Sequence, residues 1–429
     1  MAADSVAPGA PSARYARYVL GVLFVVYVFN FIDRQILSIL LPSIKEELQV
    51  SDALLGFLTG PAFALFYTFA GIPIARWADS GSRRTIIALG LGVWSAMTAA
   101  QGLARVFWQL AVARIGVGVG EAACSPPAHS LISDYFPLER RATALAIYAS
   151  GIHFGIFFGY LARGWIGEYF GWRTALLVVG LPGLALALLV RLTVREPPRG
   201  QFDGAQSDSR VASIGEVFRF LWKLRAFRHL SIASAFMSFV GYGLANWTPI
   251  FLVRVHGMSI SEIGSWLGPI TGVFGASGAF LGGWLSDRWG ARDARWFVWV
   301  PAIGAVVGIP FVLVLLFRSD PHEALLLSIP STVMGAMWLG PVFSMTQTLA
   351  QVRMRAVASA ILLFIINIIG LGMGPQVVGI LNDALEPRFG DEAVRWSLAA
   401  VAVVMSLWAG LHYVLAARTL REDLRAKDA

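Results

Sequence analysis

Four charged residues stand inside stretches of sequence that are otherwise apolar. Asp33 and Arg34 interrupt the first long apolar run, and Arg114 and Glu121 interrupt the fourth. A charged side chain at the centre of a bilayer costs at least about 2.5–3.5 kcal/mol. The four residues therefore require a wet cavity and one another, and two acids with two bases can neutralise as a cluster.

The chemistry open to such a cluster is proton exchange and anion binding. Carboxylates whose surroundings change can take up and release a proton, so we expect Asp33 and Glu121 to carry proton coupling. A guanidinium grips a phosphate through two hydrogen bonds, which makes Arg34 the candidate for an anionic headgroup. Arg114 and Asn30, which lies one turn before Arg34, are further candidates for headgroup or counter-ion binding. An ion-pair network that only holds two helices together is the alternative.

The spacing of these residues limits which pairs can form. Arg114 and Glu121 are seven residues apart and share a helix face, but they lie about 10 Å apart along the axis. Asp33 and Arg34 are neighbours and point about 100° apart on a helix. Glu121 is therefore expected to be free to change partners.

The elements that must position these residues are membrane-spanning helices. Of the 429 residues 57% are hydrophobic and 14% are charged, whereas soluble proteins keep about 25% charged. A spanning helix needs about 20 apolar residues, and the sequence predicts an all-α membrane protein of twelve transmembrane helices. The predicted spans are 17–41, 53–75, 85–104, 107–129, 141–163, 174–194, 229–252, 262–285, 296–317, 324–349, 356–381 and 396–416.

The predicted spans fall into two halves of six. A polar, Pro/Gly-containing linker over 195–228 separates an N-terminal bundle, 1–194, from a C-terminal bundle, 229–429. The segment 214–225 mixes apolar and basic positions, as an interfacial helix does. The single cysteine, Cys124, excludes an intramolecular disulfide framework and a cysteine-rich metal site. We expect no metal and no cofactor.

The distribution of positive charge predicts the orientation. With the N-terminus in the cytoplasm, 24 Lys and Arg residues fall on the cytoplasmic side and 8 on the other. Positive residues favour the cytoplasmic side, so both termini are expected in the cytoplasm of an inner-membrane, multi-pass protein. Since the basic residues sit at helix ends and form no single patch, the net charge of +8 does not indicate nucleic-acid binding.

The two halves contain an internal repeat. Residues 51–84 align without gaps on residues 259–292, an offset of 208. The alignment matches Ser51 with Ser259, Gly56 with Gly264, Gly60-Pro61 with Gly268-Pro269, Asp79 with Asp287 and Arg84 with Arg292. Parallel repeats of this kind are typical of transporters that hold their substrate between the halves.

The repeat ends in an acid followed by a basic turn. An Asp at a helix end can pair with cations and with a neighbouring helix N-terminus, and so latch one face of a transporter. The alternative is a basic loop that only sets topology. Both copies resemble the cytoplasmic loop motif of the major facilitator superfamily, although Ser80 and Ser82 depart from it in the first copy. The latch candidates are Asp79, Arg83, Arg84, Asp287, Arg288 and Arg292.

The fifth span carries a stripe of small residues. Gly151, Gly155 and Gly159 recur every four residues and favour close helix packing, and the next step of four reaches Arg163. If the stripe packs between the halves, Arg163 acts as a wedge against closure of the outer face. The alternative is an arginine that only anchors the helix at the membrane edge.

The C-terminal half lacks matching intramembrane charges, so we expect it to supply an apolar wall that includes Trp247, with neutral Asn246 nearby. An alignment of the fifth and eleventh spans on Arg141 and Arg355 places His153 opposite Asn367. This pair either faces the cavity or forms a hydrogen bond between helices.

Further motifs resemble a narrower family, the Spinster proteins, within the major facilitator superfamily. They are Asn30 to Arg34, Leu41-Pro42-Ser43-Ile44, Gly118 to Ala122 and Arg195 to Gly200. The resemblance implies two pseudo-symmetric six-helix bundles and transport of sphingosine-1-phosphate-like molecules or lysolipids by alternating access. It implies protons, membrane lipids and an amphiphilic solute as partners of a monomer. Export of drugs or other small hydrophobic solutes, a transport-dead receptor and a lipid enzyme are the alternatives, but no hydrolase or Walker motif supports an enzyme or an ATP-driven pump.

Overall fold

The computed structural model describes residues 12–200, 202 and 213–426, and these residues form helices joined by short connections. Eight helical stretches in this part of the chain are long and apolar enough to cross a membrane, and one of them, Arg355–Arg425, contains two spans. With the shorter or less apolar helices between them, the architecture is that of twelve spans in two bundles.

The first six spans have the following bounds: span 1, Ala13–Leu48; span 2, Asp52–Thr59 and Pro61–Ser80; span 3, Arg83–Gln101; span 4, Phe107–Glu121 and Ser125–Tyr135; spans 5 and 6, both within Leu138–Thr193. Spans 5 and 6 are separated by Gly171, whose φ of 80° interrupts the helix. A positive φ of this kind favours glycine, which has no Cβ.

The linker contains a helix over Ile214–Lys223, and the remaining six spans follow it. Span 7 begins at Arg225, four residues before the predicted start. The bounds are span 7, Arg225–His256; span 8, Ile260–Pro269, Ile270–Phe274 and Gly275–Gly290; span 9, Trp296–Phe317; span 10, Pro321–Leu327, Ile329–Ala336 and Leu339–Leu349; span 11, Arg355–Ile366, Asn367–Met373 and Gly374–Phe389; span 12, Ala393–Ala426.

Two of the repeated sequence elements mark corresponding points of spans 2 and 8. Ser51 and Ser259 are the N-caps of spans 2 and 8, and each hydroxyl accepts a hydrogen bond from a backbone N–H in the first turn. The Gly-Pro pair then interrupts the α-helix: span 2 breaks at Gly60, and span 8 changes to a π-helical turn after Pro269. Proline removes a backbone donor, so a break at this point is expected.

Successive spans run in opposite directions, so alternate connections lie on opposite sides of the bundle. We call the side that carries the linker and the described chain ends the linker side, and the other the far side. On the far side, spans 2 and 11 and spans 5 and 8 bring the two halves into direct contact. On the linker side, no hydrogen bond or ion pair joins the halves within the described residues. The space between the bundles is therefore closed at the far side and open toward the linker side.

Candidate functional site

All charged residues that are buried within the described part of the chain belong to the N-terminal half. They are Asp33, Asp52, Arg83, Arg114, Glu121 and Asp134. The C-terminal half buries only neutral polar residues, such as Asn246 and Thr346. The charge asymmetry expected from the sequence is therefore present in the folded protein, and it places ionic chemistry in one half.

Arg34 and Glu121 form an ion pair between spans 1 and 4. Arg34 Nε lies 2.6 Å from Glu121 Oε2. The Glu121 side chain is fully buried, whereas 14% of the Arg34 side chain is exposed. Arg34 is therefore the member of the pair that a solute can reach, and Glu121 lies behind it.

Asp33 and Arg114 are buried beside the ion pair. Both are 2% exposed, and the Asp33 carboxylate accepts a hydrogen bond from the hydroxyl of Thr98 on span 3. The charges of Asp33 and Glu121 both act on Arg114. The structure thus brings together the four charged residues that the sequence singled out, and it adds Thr98.

Aromatic rings surround both guanidinium groups. The Arg34 Cζ atom lies 5.0 Å from the ring centroid of Phe31, 5.4 Å from that of Phe63 and 4.5 Å from that of Tyr67. The Arg114 Cζ atom lies 4.6 Å from the Phe63 centroid, so Phe63 stacks with both cations. Desolvated contacts of this type contribute about 2 kcal/mol, and they offset part of the cost of burying the two arginines.

Asn30 lies near this cluster, one turn before Arg34 on span 1. It is 0% exposed, and both polar atoms of its side chain have no hydrogen-bond partner among the described residues. A buried polar group without a partner is unfavourable by about 1–3 kcal/mol. The Asn30 side chain therefore does not stabilise the fold, and its amide remains able to form hydrogen bonds beside the ion pair.

The two cavity candidates of span 7, Trp247 and Asn246, are both buried, and each side chain donates a hydrogen bond to backbone. Trp247 is fully buried and donates its indole N–H to the carbonyl oxygen of Pro375 at 2.9 Å, so in this structure it does not line the cavity. Asn246 is 7% exposed, and its amide donates to the carbonyl oxygen of Tyr242. Tyr242 itself lies close to Arg34 and is the side chain through which span 7 approaches the charged cluster.

The alignment of His153 with Asn367 stays a prediction, because a π-helical segment begins at this point of span 11. Tyr160 and Pro375 occupy equivalent places, each with its carbonyl oxygen against a repeated glycine of the opposite half. This sets the offset between spans 5 and 11 at 215 in the region of these contacts, which lies beyond His153 and beyond the start of the π-helical segment Asn367–Met373. Span 5 packs against span 8 and span 11 against span 2, and no hydrogen bond joins His153 to Asn367 within the described residues.

The latch aspartates are open to solvent. Asp79 and Asp287 are exposed, and neither has an ion-pair partner within the described chain. Arg83 and Arg84 are held within their own half: Arg83 binds Asp134 and Glu196, and Arg84 donates to the carbonyl oxygen of Val194. The exposed Arg288 lies near the ring of Trp284, and Arg292 is also exposed. This arrangement agrees with a bundle that is open on the linker side.

The glycine stripe of span 5 packs within its own half. A Cβ atom on Gly151 would lie 3.3 Å from the carbonyl oxygen of Phe24, and one on Gly155 would lie 2.6 Å from Cβ of Phe31. Gly159 is buried as well. Since Gly151 and Gly155 face span 1, these two glycines do not meet the condition under which Arg163 would act as a wedge between the halves. The side chain of Arg163 lies outside the described residues.

Sequence reasoning missed several residues that join the elements of the site. Thr98, Phe63, Tyr67 and Tyr242 carry no charge and follow no motif, so only their place in the fold marks them. A second set lies on the far side around Asp52, where charged residues stand at helix ends. Such residues normally interact with headgroups or water, and nothing in their spacing shows that they converge.

The fold and the buried ionic site define a membrane carrier made of two six-helix bundles. A family model described as the Major Facilitator Superfamily matches residues 23–375. The chain belongs to this superfamily of membrane transporters and is homologous to its Spinster proteins. Its relatives are transporters and efflux pumps and not enzymes.

The comparisons with individual proteins agree with this assignment. An MFS-type efflux pump of Mycolicibacterium smegmatis is 33% identical over 93% of this chain and 92% of that protein. Protein spinster homolog 3 of Danio rerio is 27% identical over 94% of this chain and 85% of that protein. A crystal structure of a bacterial homologue of the human lysosomal transporter Spinster, in an inward-facing and unoccupied conformation, is 33% identical. It superposes with a TM-score of 0.89, over 96% of this chain and 99% of that one.

Proposed function

We propose that this protein is a proton-coupled secondary carrier for an amphiphilic molecule with an anionic headgroup, such as a lysolipid or a sphingosine-1-phosphate-like lipid. The observation that carries the proposal is the ion pair between the partly exposed Arg34 and the fully buried Glu121. Arg34 can bind an anionic solute, and Glu121, which contacts it, can bind a proton.

Arg34 is suited to a phosphate or phosphate-like group. The single hydrogen bond to Glu121 uses its Nε, and a guanidinium has five N–H donors in a planar fork. The rings of Phe31, Phe63 and Tyr67 hold the fork in place. Since less rotational freedom is lost on binding, an anchored guanidinium binds an anion more favourably than a free one.

An apolar cavity supports the lipid part of the proposal. A space of about 300 Å³ is lined by Gln35 of span 1, by Ile156 and Tyr160 of span 5 and otherwise by the C-terminal half. This volume is at the lower end of the roughly 300–1,000 Å³ found for ligand sites. Small and aliphatic side chains make up most of its wall, among them Val240, Leu244, Ala245, Leu267, Ile270, Gly304, Gly308, Ile309, Val312 and Ala336. An alkyl chain extending from a headgroup at Arg34 would fit such a wall.

Proton coupling follows from competition at Arg34. An anion that binds the guanidinium takes the place of Glu121, and an unpaired carboxylate at this depth is costly. Glu121 then takes up a proton and becomes neutral. When the proton leaves, the carboxylate reclaims Arg34 and the anion is released. Asp33, which acts electrostatically on both Arg114 and Glu121, keeps the net charge of the cluster close to zero through this exchange.

The bias of Lys and Arg supports a cytoplasmic linker side in the inner membrane, with both termini in the cytoplasm. In that orientation the cavity opens inward, as in the inward-facing bacterial relative. Proton and solute then share one site that alternates between two sides. This is the arrangement expected for a carrier whose site lies between two repeats.

Export of small hydrophobic solutes is the second candidate. The 33% identity to a mycobacterial efflux pump and the apolar wall of the cavity favour it. A drug-like cation would not need Arg34, whereas an anionic amphiphile would. The two candidates therefore differ in their dependence on one side chain.

The test is a flux assay with purified protein in liposomes under an imposed pH gradient. The panel contains lysophosphatidylglycerol, sphingosine-1-phosphate, an uncharged monoacylglycerol and ethidium. We expect gradient-driven movement of the two anionic lipids and its loss in Arg34→Gln, whereas Arg105→Gln, which changes an exposed arginine, behaves as wild type. Transport of ethidium that survives Arg34→Gln would favour the efflux function. No flux of any solute would contradict both.

A further inference from the structure

The contacts that close the far side occur twice. A Cβ atom on Gly56 of span 2 would lie 2.6 Å from the carbonyl oxygen of Pro375 on span 11. One on Gly264 of span 8 would lie 2.4 Å from the carbonyl oxygen of Tyr160 on span 5. Gly264 follows Gly56 by 208 residues and Pro375 follows Tyr160 by 215, so the two contacts are the same contact in the two repeats.

The same pairing holds at two further positions. Gly60 faces the carbonyl oxygen of Gly372, and Gly268 faces that of Phe157. Gly379 faces the carbonyl oxygen of Asp52, and Gly164 faces that of Ile260. The Cβ-to-oxygen distances would be 2.4, 3.1, 2.3 and 2.8 Å, in that order. Side chains at most of these places would collide with backbone. The repeated glycines therefore let the backbones of the two halves pack directly against each other at two places, between spans 2 and 11 and between spans 5 and 8. We call these two contacts the seals.

Each seal ends in a carboxylate that binds the start of the opposing helix. Asp383 of span 11 accepts hydrogen bonds from the backbone N–H groups of Asp52 and Ala53, both at 2.9 Å. Glu168, at the end of span 5, accepts one from the N–H of Ser261 at 2.7 Å. Ser261 follows Ala53 by 208 residues and Asp383 follows Glu168 by 215. The two bonds are therefore also related by the repeat.

The physical basis of these bonds is the free end of a helix. The first N–H groups of an α-helix have no partner within the helix, and the helix dipole places partial positive charge there. Spans 2 and 8 satisfy part of this need with their own N-cap serines, Ser51 and Ser259. Further N–H groups donate to Asp383 and Glu168 across the interface. Separation of the halves therefore exposes both the carboxylate and the helix end.

The two seals differ in strength because of residue 52. The Asp52 carboxylate, 2% exposed, accepts two hydrogen bonds from Arg254 at 2.6 Å, one from Lys45 at 2.7 Å and one from Asn382 at 3.0 Å. Ile260 occupies the equivalent place in span 8 and cannot form such bonds. Buried charge-assisted bonds are stronger than exposed ones, and Glu168 is exposed.

We propose that Asp383 and Glu168 are a pair of gating residues that hold the far side closed, and that the seal between spans 2 and 11 is the stronger of the two. Less free energy is needed to separate spans 5 and 8 than to separate spans 2 and 11. The seal between spans 2 and 11 therefore sets the equilibrium between the far-side-closed and far-side-open states. This assignment concerns the gate alone and does not depend on the identity of the solute or on proton coupling.

The test measures the gate without a solute. The full-length protein in lipid nanodiscs carries spin labels at Glu46→Cys and Asp391→Cys, exposed positions on the far side of the two halves, in a Cys124→Ala background. Double electron–electron resonance gives the fraction of molecules with the long, far-side-open distance. The variants are Asp383→Asn, Asp383→Ala and Glu168→Gln. Glu386→Gln is the matched control, since it removes an exposed carboxylate from the same helix, three residues from Asp383.

We expect Asp383→Ala to raise the open-to-closed ratio more than roughly tenfold, because this partly buried carboxylate accepts two charge-assisted hydrogen bonds from the start of span 2. Asp383→Asn, which keeps the shape of the side chain, is expected to raise it less. Glu168→Gln should raise it about two- to fivefold, the effect of one charge at a helix end. An unchanged distance distribution in the Asp383 variants, or an effect equal to that of Glu386→Gln, overturns the assignment. A larger effect from Glu168→Gln than from Asp383→Ala overturns the order of the two seals.

Discussion

Arg34 of span 1 and Glu121 of span 4 share a hydrogen bond of 2.6 Å in the middle of the N-terminal bundle. The residues are far apart in sequence, and neither has a charged counterpart at the equivalent place in the C-terminal half. The pair joins an accessible cation to an acid with no exposed surface. Whatever binds the cation must change the environment of the acid, and this relationship is the basis of the first three predictions.

Glu121→Gln should abolish accumulation driven by a pH gradient. The amide can still accept a hydrogen bond from Arg34, but it cannot take up a proton when an anion displaces it. Exchange of labelled for unlabelled solute without a gradient should persist, because exchange does not require proton release. Both assays use the same proteoliposomes, with Glu323→Gln at an exposed site as control. Retention of gradient-driven accumulation in Glu121→Gln would remove Glu121 from the coupling mechanism.

Asp33→Asn should also reduce gradient-driven transport, by removing a negative charge that acts on Arg114 and Glu121. Thr98→Val separates this role from a structural one, because it deletes the hydroxyl that binds Asp33 and keeps the charge. We expect a severe loss in Asp33→Asn and a mild one in Thr98→Val. Equal losses, or an equal loss of coupling in the neutral substitution Asn246→Ala, would argue against an electrostatic role for Asp33.

Arg34→Lys should weaken binding of an anionic amphiphile although it conserves the charge. Lysine presents a point charge without a planar fork, and one hydrogen bond to a charged group contributes about 1.5–3 kcal/mol. The dissociation constant for lysophosphatidylglycerol should therefore rise more than about tenfold, as measured by equilibrium binding in detergent. Binding of a monoacylglycerol, which has the same tail and no charge, serves as the control. A parallel loss for both ligands would indicate disturbed packing of the aromatic rings.

Asp79→Asn and Asp287→Asn should each shift the population further toward the state that is open on the linker side. Both aspartates are exposed and unpaired within the described residues, so their interactions are expected to form only when this side closes. Thiols introduced near the linker side, in a Cys124→Ala background, should react faster with a soluble maleimide in either variant. Unchanged labelling rates would leave the two motifs with a role in topology alone.

The start of the linker should detach at low pH. Glu196 is partly buried, which opposes its ionisation, but the backbone N–H of Arg84 and the guanidinium of Arg83 outweigh burial and lower its pKa. A carboxyl whose pKa is lower in the folded state stabilises that state above its unfolded pKa of about 4.3, and this stabilisation is lost as the pH falls through the folded value.

A spin label at Pro198→Cys, an exposed position beside Glu196, measures this change through its mobility. We expect an immobile label at neutral pH that becomes mobile only below the ordinary glutamate pKa of about 4.3, while circular dichroism shows an intact helical protein. Glu196→Gln should be mobile already at neutral pH. A label that stays immobile in Glu196→Gln would show that the Arg83–Asp134 pair holds the linker without Glu196.

Much of the fold was readable from the sequence because its signals are local. Hydropathy runs of spanning length predicted twelve spans, and the 208-residue offset between Ser51 and Ser259 predicted two related halves. The four candidate charges were also visible, since any charge inside an apolar run is expensive. Helix ends were less accurate: span 1 extends over Ala13–Leu48, well beyond the predicted 17–41, because polar turns at either end continue the helix.

The sequence by itself thus determined the membrane class, the repeat and the residues that require partners, and each of these follows from the cost of placing a given side chain in lipid. Only the tertiary structure decided which residues these side chains contact. Glu121 meets Arg34 and not Arg114, the stripe through Gly155 faces span 1, and the Asp383 carboxylate binds the start of span 2. These choices depend on how distant helices rotate and pack, and on where bulky neighbours such as Phe63 leave room. The spacing of residues within one helix does not encode this information, because a contact between two helices depends on the position and rotation of both.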